Sequence, residues 1–420
     1  MTASNGKVPE QGPVGWKRYF IAKGQEMKNI IFLRRTNEFG GCEILLLDWL
    51  KYIDYRQYKV VLASTTDYFS EKIAKIGLPV RCVTIDVPFN GTFWETYNKW
   101  HAFLNEMSPD EIVIMQGGFF EFPLPCVLAA YRSSSGNLFM TEHLAAPVPD
   151  KRRSSIHFGF IPGIGLWWYK MMWGMRIRSY LSKRILAVSR EVKSKLQLYG
   201  YPPEKISVAY HGVDTERFSP SEIQRKNLRQ LHKIPDDGVV IVSTARLSTQ
   251  KKIDRLIKAH DVLSQRHDNL WLLIAGDGPL REEINNLVDT TNGKEKIKLL
   301  GQLEDVTPIL QASDIYVLSS DNEGLSVALT EAMSVGLVSI ASNVSGSNEV
   351  LEDEQNGFLV DPSYDGILGG MEKAIHMDPE ARRILSGKAR QTIIEKFSTK
   401  KSVKHILELM DIESVEGITA

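Results

Sequence analysis

The chain contains Glu323-Gly-Leu-Ser-Val-Ala-Leu-Thr-Glu331-Ala-Met-Ser-Val-Gly336 directly after the apolar run Ile315-Tyr-Val-Leu-Ser-Ser320. This order predicts a strand, a short turn and a helix, the arrangement in which free helix N-terminal amides bind phosphate. Residues 325–333 lack Gly and Pro and have helical apolar spacing, so Glu331 is expected about two turns into the helix. Helical side chains lean toward the N-terminus, so its carboxylate should face the same ligand as Glu323.

A cluster of positive charge follows an apolar run earlier in the same half of the chain. Val239-Val-Ile-Val-Ser-Thr-Ala245 predicts a buried strand, and Arg246-Leu-Ser-Thr-Gln-Lys251-Lys-Ile-Asp254 comes directly after it. Arg suits bidentate contact with phosphate oxygens, and Lys acts as a point charge. Two cations at a strand-to-helix junction are expected to neutralise a diphosphate, and the plainer alternative is a pair of solvated surface cations.

In this order the two blocks resemble those of retaining glycosyltransferases with the GT-B fold, specifically glycosyltransferase family 4. The first is similar to the Glu-X7-Glu signature of that family. The second is similar to its Arg-Leu-X-X-X-Lys-Gly-X-Asp block, with Lys252 where the family has Gly. The resemblance extends from Lys28 onward, and it is more specific in the second half of the chain than in the first.

The resemblance implies a nucleotide-sugar site in a cleft between two domains. Arg246 and Lys251 are expected at the diphosphate. Glu323 and the amides of the three residues after it are expected to hold sugar hydroxyls and phosphate, and Glu331 is expected to hold the ribose. The donor-binding residues that the resemblance implies are Gly40, Gly41, Arg246, Lys251, Glu323, Gly324, Leu325, Ser326 and Glu331.

The first half of the chain is expected to supply the opposite wall of this cleft. Gly40 and Gly41 follow the first predicted strand and are similar to the Gly-Gly-X-Glu loop that faces the donor phosphate in the family. His143 ends the predicted strand 137–143, and in the family a His at this strand end lies near the transferred sugar. The alternative is a histidine that only lines the strand end. The catalytic residues that the resemblance implies are His143, Glu323, Arg246 and Lys251.

Two further blocks match the family in order but carry less information. Residues 208–218 resemble the turn between the domains, with His211 where the family has Asn, and we interpret His211 as a loop histidine. Residues 345–350 also match. There Glu349 is interpreted as a structural or a donor-side carboxylate.

The order of predicted elements favours an α/β protein with two Rossmann-like doubly wound domains that face each other across a cleft, as the GT-B fold requires. A chain of 420 residues is long enough for two or three domains. The predicted division is a polar leader at 1–27, an acceptor-side domain at 28–218, a linker at 219–238, a nucleotide-sugar domain at 239–397, and a C-terminal helix at 398–420 that crosses back to the first domain.

Composition excludes some partners and favours one compartment. Lys and Arg balance Asp and Glu, 51 against 51, so no net charge indicates nucleic-acid binding. The three cysteines (Cys42, Cys82 and Cys126) are scattered, as expected in a reducing cytoplasm, and lack metal-ligand spacing. The polar N-terminus has no apolar core of a signal peptide, so we expect a cytoplasmic protein.

Residues 151–184 depart from this balance because they contain basic and aromatic residues but no Asp or Glu. Basic residues interleaved with Trp and Tyr suit the headgroup region of an anionic membrane, which predicts peripheral contact with the inner face of a membrane. The alternative is an internal helix of the first domain whose aromatic residues pack in the core or line the acceptor pocket.

The function implied by the resemblance is a retaining, hexosyltransferase-type reaction that moves a sugar from a UDP- or GDP-sugar to a glycan or lipid-linked acceptor in polysaccharide or glycolipid biosynthesis. The chain has no Asp-X-Asp, the carboxylate pair that metal-dependent transferases use, so no metal and no cofactor are expected. Two alternatives stay open: a nucleotide-sugar 2-epimerase of the same fold, and a non-catalytic scaffold subunit of a glycosyltransferase complex.

Overall fold

The computed structural model describes residues 27–35, 41–117, 121–143 and 173–413. Gly40 and most of the basic aromatic segment, residues 151–172, therefore lie outside the described residues. The described residues form two parallel β-sheets, one in each half of the chain.

The first sheet has seven strands in the order β3-β2-β1-β4-β5-β6-β7. Its neighbouring strands are all parallel. The strands are β1 (Lys28–Arg34), β2 (Tyr58–Ser64), β3 (Val80–Thr84), β4 (Glu111–Gln116), β5 (Leu138–Glu142), β6 (Arg184–Ala187) and β7 (Ile206–Val208).

The second sheet has six strands in the order β10-β9-β8-β11-β12-β13, and it too is parallel. The strands are β8 (Val239–Thr244), β9 (Leu270–Ala275), β10 (Ile297–Gly301), β11 (Ile315–Leu318), β12 (Val338–Ser342) and β13 (Phe358–Val360).

Helices connect the strands of both sheets. Those in the first half are α1 (Gly41–Tyr52), α2 (Tyr68–Ile76), α3 (Phe93–Glu106), α4 (Leu124–Ser133), α5 (173–181) and α6 (Arg190–Leu198). Those in the second half are α7 (Glu222–Leu231), α8 (Ile253–Ser264), α9 (Arg281–Asp289), α10 (Thr307–Ala312), α11 (Val327–Val335), α12 (Ser347–Val350), α13 (Tyr364–Ile375), α14 (Pro379–Lys396) and α15 (Thr399–Leu409). Short 3₁₀ turns occupy Pro203–Lys205 and Lys294–Lys296.

Both sheets are covered on two faces, which explains their continuous apolar strands. Every residue of β4 is buried. In the first sheet, Phe32 faces a core shared with α1 and α15, and Ile31 faces the opposite core, shared with α3 and α4. A parallel sheet with helices on both sides is the doubly wound arrangement that the sequence predicts. The α/β fold class is confirmed.

The predicted linker, 219–238, contains a helix that packs against the second domain. Within it α7 lies on α10, and Arg225 and Arg229 bind the two carboxylate oxygens of Asp314 at 2.6 and 2.8 Å. The chain later returns to the first domain, where α15 packs against α1. The two crossing segments meet at an isolated bridge between Val213 and Ser398.

The strand order reverses once in each sheet, between β1 and β4 and between β8 and β11. In doubly wound folds, ligands bind beyond the carboxyl ends of the strands at such a switch point. The loops that follow these four strands are therefore the first place to look for a site.

Among the described residues, no helix is both long and apolar enough to span a bilayer.

Candidate active site

The loops after β8 and β11 bring together the cation and carboxylate predicted for the second domain. Lys251 Nζ lies 2.6 Å from Glu323 Oε1. The same oxygen accepts a hydrogen bond from Ser320 Oγ at 2.6 Å. Glu323 is buried, whereas Arg246 is exposed at the carboxyl end of β8. The pairing fixes the carboxylate of Glu323 and leaves Arg246 accessible to an anion from the cleft.

Several hydrogen bonds join these two loops beneath the ion pair. Ser319 Oγ donates to the carbonyl oxygens of Lys251 and Lys252, at 2.8 and 3.0 Å. The amide of Asp321 donates to the Gln250 carbonyl at 2.8 Å. The cationic loop is therefore held against the loop that carries Glu323, which limits how far either can move alone.

Lys252 stands where the family has Gly, and the backbone explains the family's choice. Its φ of +51° lies in the left-handed region, at the residue that precedes α8. Glycine adopts this conformation without steric cost, and Lys does not. The Lys252 ammonium lies 3.5 Å from Asp321, so it belongs to a surface ion pair.

Helix α11 begins two residues later than the sequence pattern predicts. We expected it to start at Leu325, but it spans Val327–Val335, and Ser326 is its N-cap, accepting from the Leu329 amide. Short polar side chains at this position replace a missing backbone partner, which ends the helix there. Gly324, Leu325 and Ser326 therefore form the loop just before the helix. Within the described part of the chain, the amides of these three residues donate to no other group.

Glu331 lies on the second turn of α11 and is half-buried. Burial raises the pKa of its carboxyl to about 8; Arg217 opposes this shift, and Asp305 and Asp48 add to it. Asp48 belongs to α1 of the first domain, so Glu331 faces the cleft between the domains. Burial raises the pKa of Tyr316 on β11, and the charges of both Glu323 and Glu331 add to the shift.

Tyr316 therefore lies within electrostatic range of the two predicted carboxylates. Sequence reasoning missed it, because one Tyr within an apolar strand is typical of a core residue. Its position on the strand that immediately precedes Glu323 was the available signal.

His143 follows β5 and lies against the donor loop of the second domain. A Cβ added to Gly324 would come within 2.4 Å of the His143 carbonyl oxygen, so the two chains touch through their backbones. Burial lowers the pKa of His143 to about 3, with smaller contributions from His211 and Arg34. Its Nε2 is buried and has no hydrogen-bond partner among the described residues. The structure thus brings His143 and Gly324 together as a neutral imidazole beside a glycine loop.

The first-domain side of the cleft contains an ion-pair network that sequence reasoning missed. Arg34 ends β1 and is buried, and its guanidinium donates to Glu43 of α1 at 2.7 Å and to Glu121. The signal was a charged residue at the end of an apolar strand. Gly41 is the first residue of α1, while the position of Gly40 lies outside the described residues.

Two residues of the weaker blocks reach across the domain boundary. His211 Nε2 lies 3.2 Å from the Leu325 carbonyl oxygen. Glu349 accepts from the amides of Arg190 and Glu191, at 2.8 and 3.2 Å, and from the Tyr210 hydroxyl at 2.7 Å. Glu349 therefore caps helix α6 of the first domain from a loop of the second.

No group of three or more His, Cys, Asp or Glu side chains within the described ranges is arranged to hold a metal ion.

Comparison with known proteins identifies both halves of the chain. Residues 39–217 match the family described as Glycosyltransferase Family 4, and residues 224–392 match Glycosyl transferases group 1. The chain is 32% identical over 213 residues to an Escherichia coli protein named UDP-Gal:alpha-D-GlcNAc-diphosphoundecaprenol alpha-1,3-galactosyltransferase, covering 49% of this chain and 54% of that protein. It is 30% identical over 219 residues to a subunit of the human phosphatidylinositol N-acetylglucosaminyltransferase, covering 51% and 43%. The chain thus spans about half the length of the curated relatives it matches.

A solved structure shares the whole architecture. The crystal structure of the Anabaena protein HepE in complex with UDP and glucose has a TM-score of 0.72 and 20% sequence identity, and the match covers 91% of this chain and 99% of that one. At this identity the likeness shows the fold alone. Since the two adjacent family matches run almost continuously from residue 39 to residue 392, the chain belongs to glycosyltransferase family 4 of the GT-B fold.

Proposed function

We propose that this protein is a retaining glycosyltransferase that moves a sugar from a UDP- or GDP-sugar to a glycan or lipid-linked acceptor without a metal ion. The observation that carries the proposal is the Lys251–Glu323 pair at the switch point of the second sheet, 2.6 Å apart, next to the loop that contacts His143. Switch points of this kind are where doubly wound folds bind nucleotides.

Each proposed role follows from the chemistry of a donor with a diphosphate. Arg246 and Lys251 neutralise the diphosphate, and the charge they face grows as the glycosidic bond breaks. The amides of Gly324, Leu325 and Ser326 donate to phosphate and sugar oxygens. Glu323 accepts from sugar hydroxyls, and Glu331 accepts from the ribose.

Retention is proposed to occur on the face of the sugar from which the diphosphate departs. The acceptor oxygen attacks the anomeric carbon on that face, and its proton passes to an oxygen of the leaving phosphate. No residue is assigned as a covalent nucleophile. His143 lies on the acceptor side, and because its imidazole is neutral it adds no charge that would compete with Arg246 and Lys251 for the phosphate.

UDP is the first donor base to test, because the solved HepE complex holds UDP and the E. coli relative is named for UDP-Gal. Both curated relatives cited above are named for lipid-linked or lipid acceptors. A lipid-linked acceptor is therefore the first acceptor class to test. Contact with an anionic membrane from the cytoplasmic side would bring such an acceptor to the cleft.

Helix α5 supports this membrane contact. Trp173 and Tyr180 are 60% and 67% exposed, and Arg176 lies on the same helical face. Met175 and Arg178, on the other face, are buried in the first domain. We expect flotation with liposomes that contain anionic lipid at low salt and much weaker flotation in the Trp173→Ala/Tyr180→Ala variant. Trp94→Ala is the matched control, since Trp94 is 66% exposed on α3. Equal flotation of all variants, or none of the wild type, would contradict the contact.

Incubation with each UDP- and GDP-sugar and a lipid-linked acceptor, followed by proton NMR of the first product, tests the reaction. The expected product keeps the anomeric configuration of the donor and forms equally fast with and without EDTA. An inverted product would contradict retention, and activity lost in EDTA and restored by Mg²⁺ would contradict metal independence. A new sugar nucleotide formed without acceptor would indicate an epimerase instead.

A further inference from the structure

The segment that connects the two domains lies against a second crossing segment of the chain. The Val213 amide donates to the Phe397 carbonyl at 2.8 Å, and the Thr399 amide donates to the Val213 carbonyl at 2.9 Å. A Cβ on Gly212 would come within 2.4 Å of the Thr399 Cα. Backbone contacts on this scale fix residues 212–213, so the side chain just before them starts from a well-defined position.

That side chain is His211, which is buried and reaches from the crossing segment into the second domain. Its Nε2 lies 3.2 Å from the carbonyl oxygen of Leu325. A carbonyl oxygen only accepts, so Nε2 must carry the hydrogen. Burial lowers the pKa of His211 to about 4, so at neutral pH the ring holds one proton, and this hydrogen bond places it on Nε2.

The carbonyl that His211 binds belongs to the same peptide unit as the Ser326 amide. A peptide unit is planar and trans, so its C=O and its N–H point in opposite directions. Holding the Leu325 carbonyl toward His211 therefore turns the Ser326 N–H away from the crossing segment. This amide is one of those that donate to no other described group.

The neighbouring loop leaves this peptide little freedom to turn by other means. A Cβ on Gly346 would come within 2.3 Å of the Gly324 carbonyl oxygen, so the loops after β11 and β12 are in backbone contact. The orientation of the Leu325–Ser326 peptide therefore depends on one side chain, which the sequence places 114 residues earlier.

We propose that His211 is a positioning residue of the donor site: its hydrogen bond to the Leu325 carbonyl aims the Ser326 amide at the diphosphate of the nucleotide sugar. The inference rests on the proposed function, since it assumes that a diphosphate binds at this loop. It assigns His211 no contact with the reacting atoms.

The chain offers a matched control in His260. It too is buried, and its Nε2 lies 3.3 Å from the Leu270 carbonyl oxygen. Leu270 is the first residue of β9, at the amino edge of the sheet, whereas the donor loops leave the carboxyl edge. A substitution at His260 therefore removes the same kind of hydrogen bond away from the site.

Calorimetric titration with UDP, and with uridine as a probe that lacks phosphate, tests the proposal. His211→Ala is expected to weaken UDP binding about tenfold, equivalent to about 1.4 kcal/mol, and to leave uridine binding unchanged within twofold. His211→Gln should restore UDP binding to within threefold, because its side-chain amide nitrogen lies close to the position of Nε2 and also donates. His260→Ala should bind both ligands as the wild type does. If His211→Ala does not fold, His211→Leu replaces it, because Leu fills the space without a donor.

UDP binding unchanged in His211→Ala would overturn the inference, and so would an equal loss of UDP and uridine, which indicates a general structural role. Failure of His211→Gln to restore binding would also overturn it. If the wild type prefers GDP, then GDP and guanosine replace UDP and uridine. A wild type that binds no nucleoside diphosphate would instead contradict the proposed function, so the two failures are distinguishable.

Discussion

The carboxyl group of Glu331 lies where burial and two acidic neighbours work against its ionisation. Its pKa of about 8 means that the unliganded protein at pH 7 carries this group mostly protonated. Ribose hydroxyls donate to a carboxylate, so nucleotide binding through Glu331 favours the ionised form. Binding must then release a proton at neutral pH.

This sign predicts that UDP binds more tightly as the pH rises. Between pH 7 and pH 9 the ionised fraction of a group with a pKa of about 8 rises about tenfold, so the dissociation constant should fall by about that factor. Glu331→Gln should bind UDP more weakly at pH 9 and show a flat profile. Calorimetric titration at three pH values measures both. A flat profile in the wild type would remove Glu331 from the ribose site.

Lys252 gives a second prediction at the scale of one residue. Because its φ is +51°, Lys252→Gly should raise the free energy of unfolding by about 0.5–1 kcal/mol despite the added freedom of the unfolded chain. Lys258→Gly is the matched control: it also removes a Lys with one ion-pair partner, but it lies inside α8 and should lower stability by about 1 kcal/mol. Urea unfolding measures both, and equal destabilisation by the two changes would contradict this account of the turn.

At the scale of elements, the contact between the donor loop and the end of β5 depends on a glycine. A Cβ at Gly324 would lie 2.4 Å from the His143 carbonyl oxygen, a distance at which backbone must move. Gly324→Ala should therefore push the loop away from His143 and lower the rate of sugar transfer at least tenfold, since displacements of about 1 Å at reacting groups have effects of that size or larger.

Gly387→Ala is the control for this change. Gly387 lies in α14 with nothing within 4 Å of an added Cβ, so Ala should stabilise the protein by about 0.5–1 kcal/mol and leave transfer unchanged. Transfer rates measured for both variants decide the matter. A Gly324→Ala variant as active as the wild type would show that the domains need not touch at this point.

The sequence predicts the long buried strands well, and it fails at short edge elements. Continuous apolar runs such as Glu111–Gln116 and Leu270–Ala275 were predicted with the bounds that the structure has. The edge strands Ile206–Val208 and Phe358–Val360 are three residues long, too short to show any period, and were missed. The start of α11 was misjudged because apolar spacing reaches back beyond Ser326, and the cap that ends the helix is a single polar side chain.

In the candidate site, local motifs were visible in sequence and distant partners were not. Arg246, Lys251 and Glu323 lie in blocks whose order along the chain already places them at neighbouring strand ends. The contacts of His211 with Leu325 and of Glu349 with α6 join residues more than 100 positions apart. No local pattern of residue types encodes such a pairing, so only the folded chain reveals it.

At the scale of the whole molecule, Glu349 joins the two domains. Its carboxylate accepts from the first two amides of α6 and from the Tyr210 hydroxyl, while Ser189 caps the third amide. A negative charge at a helix N-terminus is favourable, and here the charge and the helix belong to different domains. The pairing therefore favours the arrangement in which His143 meets the donor loop.

Loss of this carboxylate should loosen the closed arrangement. Glu349→Ala is expected to increase the radius of gyration measured by small-angle X-ray scattering and to weaken UDP binding severalfold, because a cleft that opens more often holds its ligand less. Glu352→Ala is the control, since its side chain is 56% exposed near Lys396 of the same domain. Identical scattering and identical UDP binding in all three proteins would contradict a role for Glu349 in closure.

The central claim is that Arg246 and Lys251 form a nucleoside diphosphate site that needs no metal. Thermal unfolding in EDTA with UDP, GDP, ADP and CDP tests it most directly, on the wild type, on Arg246→Ala/Lys251→Ala, and on the surface control Lys258→Ala/Arg266→Ala. A ligand at 100 times its dissociation constant stabilises by about 2.7 kcal/mol. The account predicts a raised midpoint with one nucleotide in the wild type and the control, and none in the Arg246→Ala/Lys251→Ala variant. No shift with any nucleotide, or an equal shift in that variant, would contradict it.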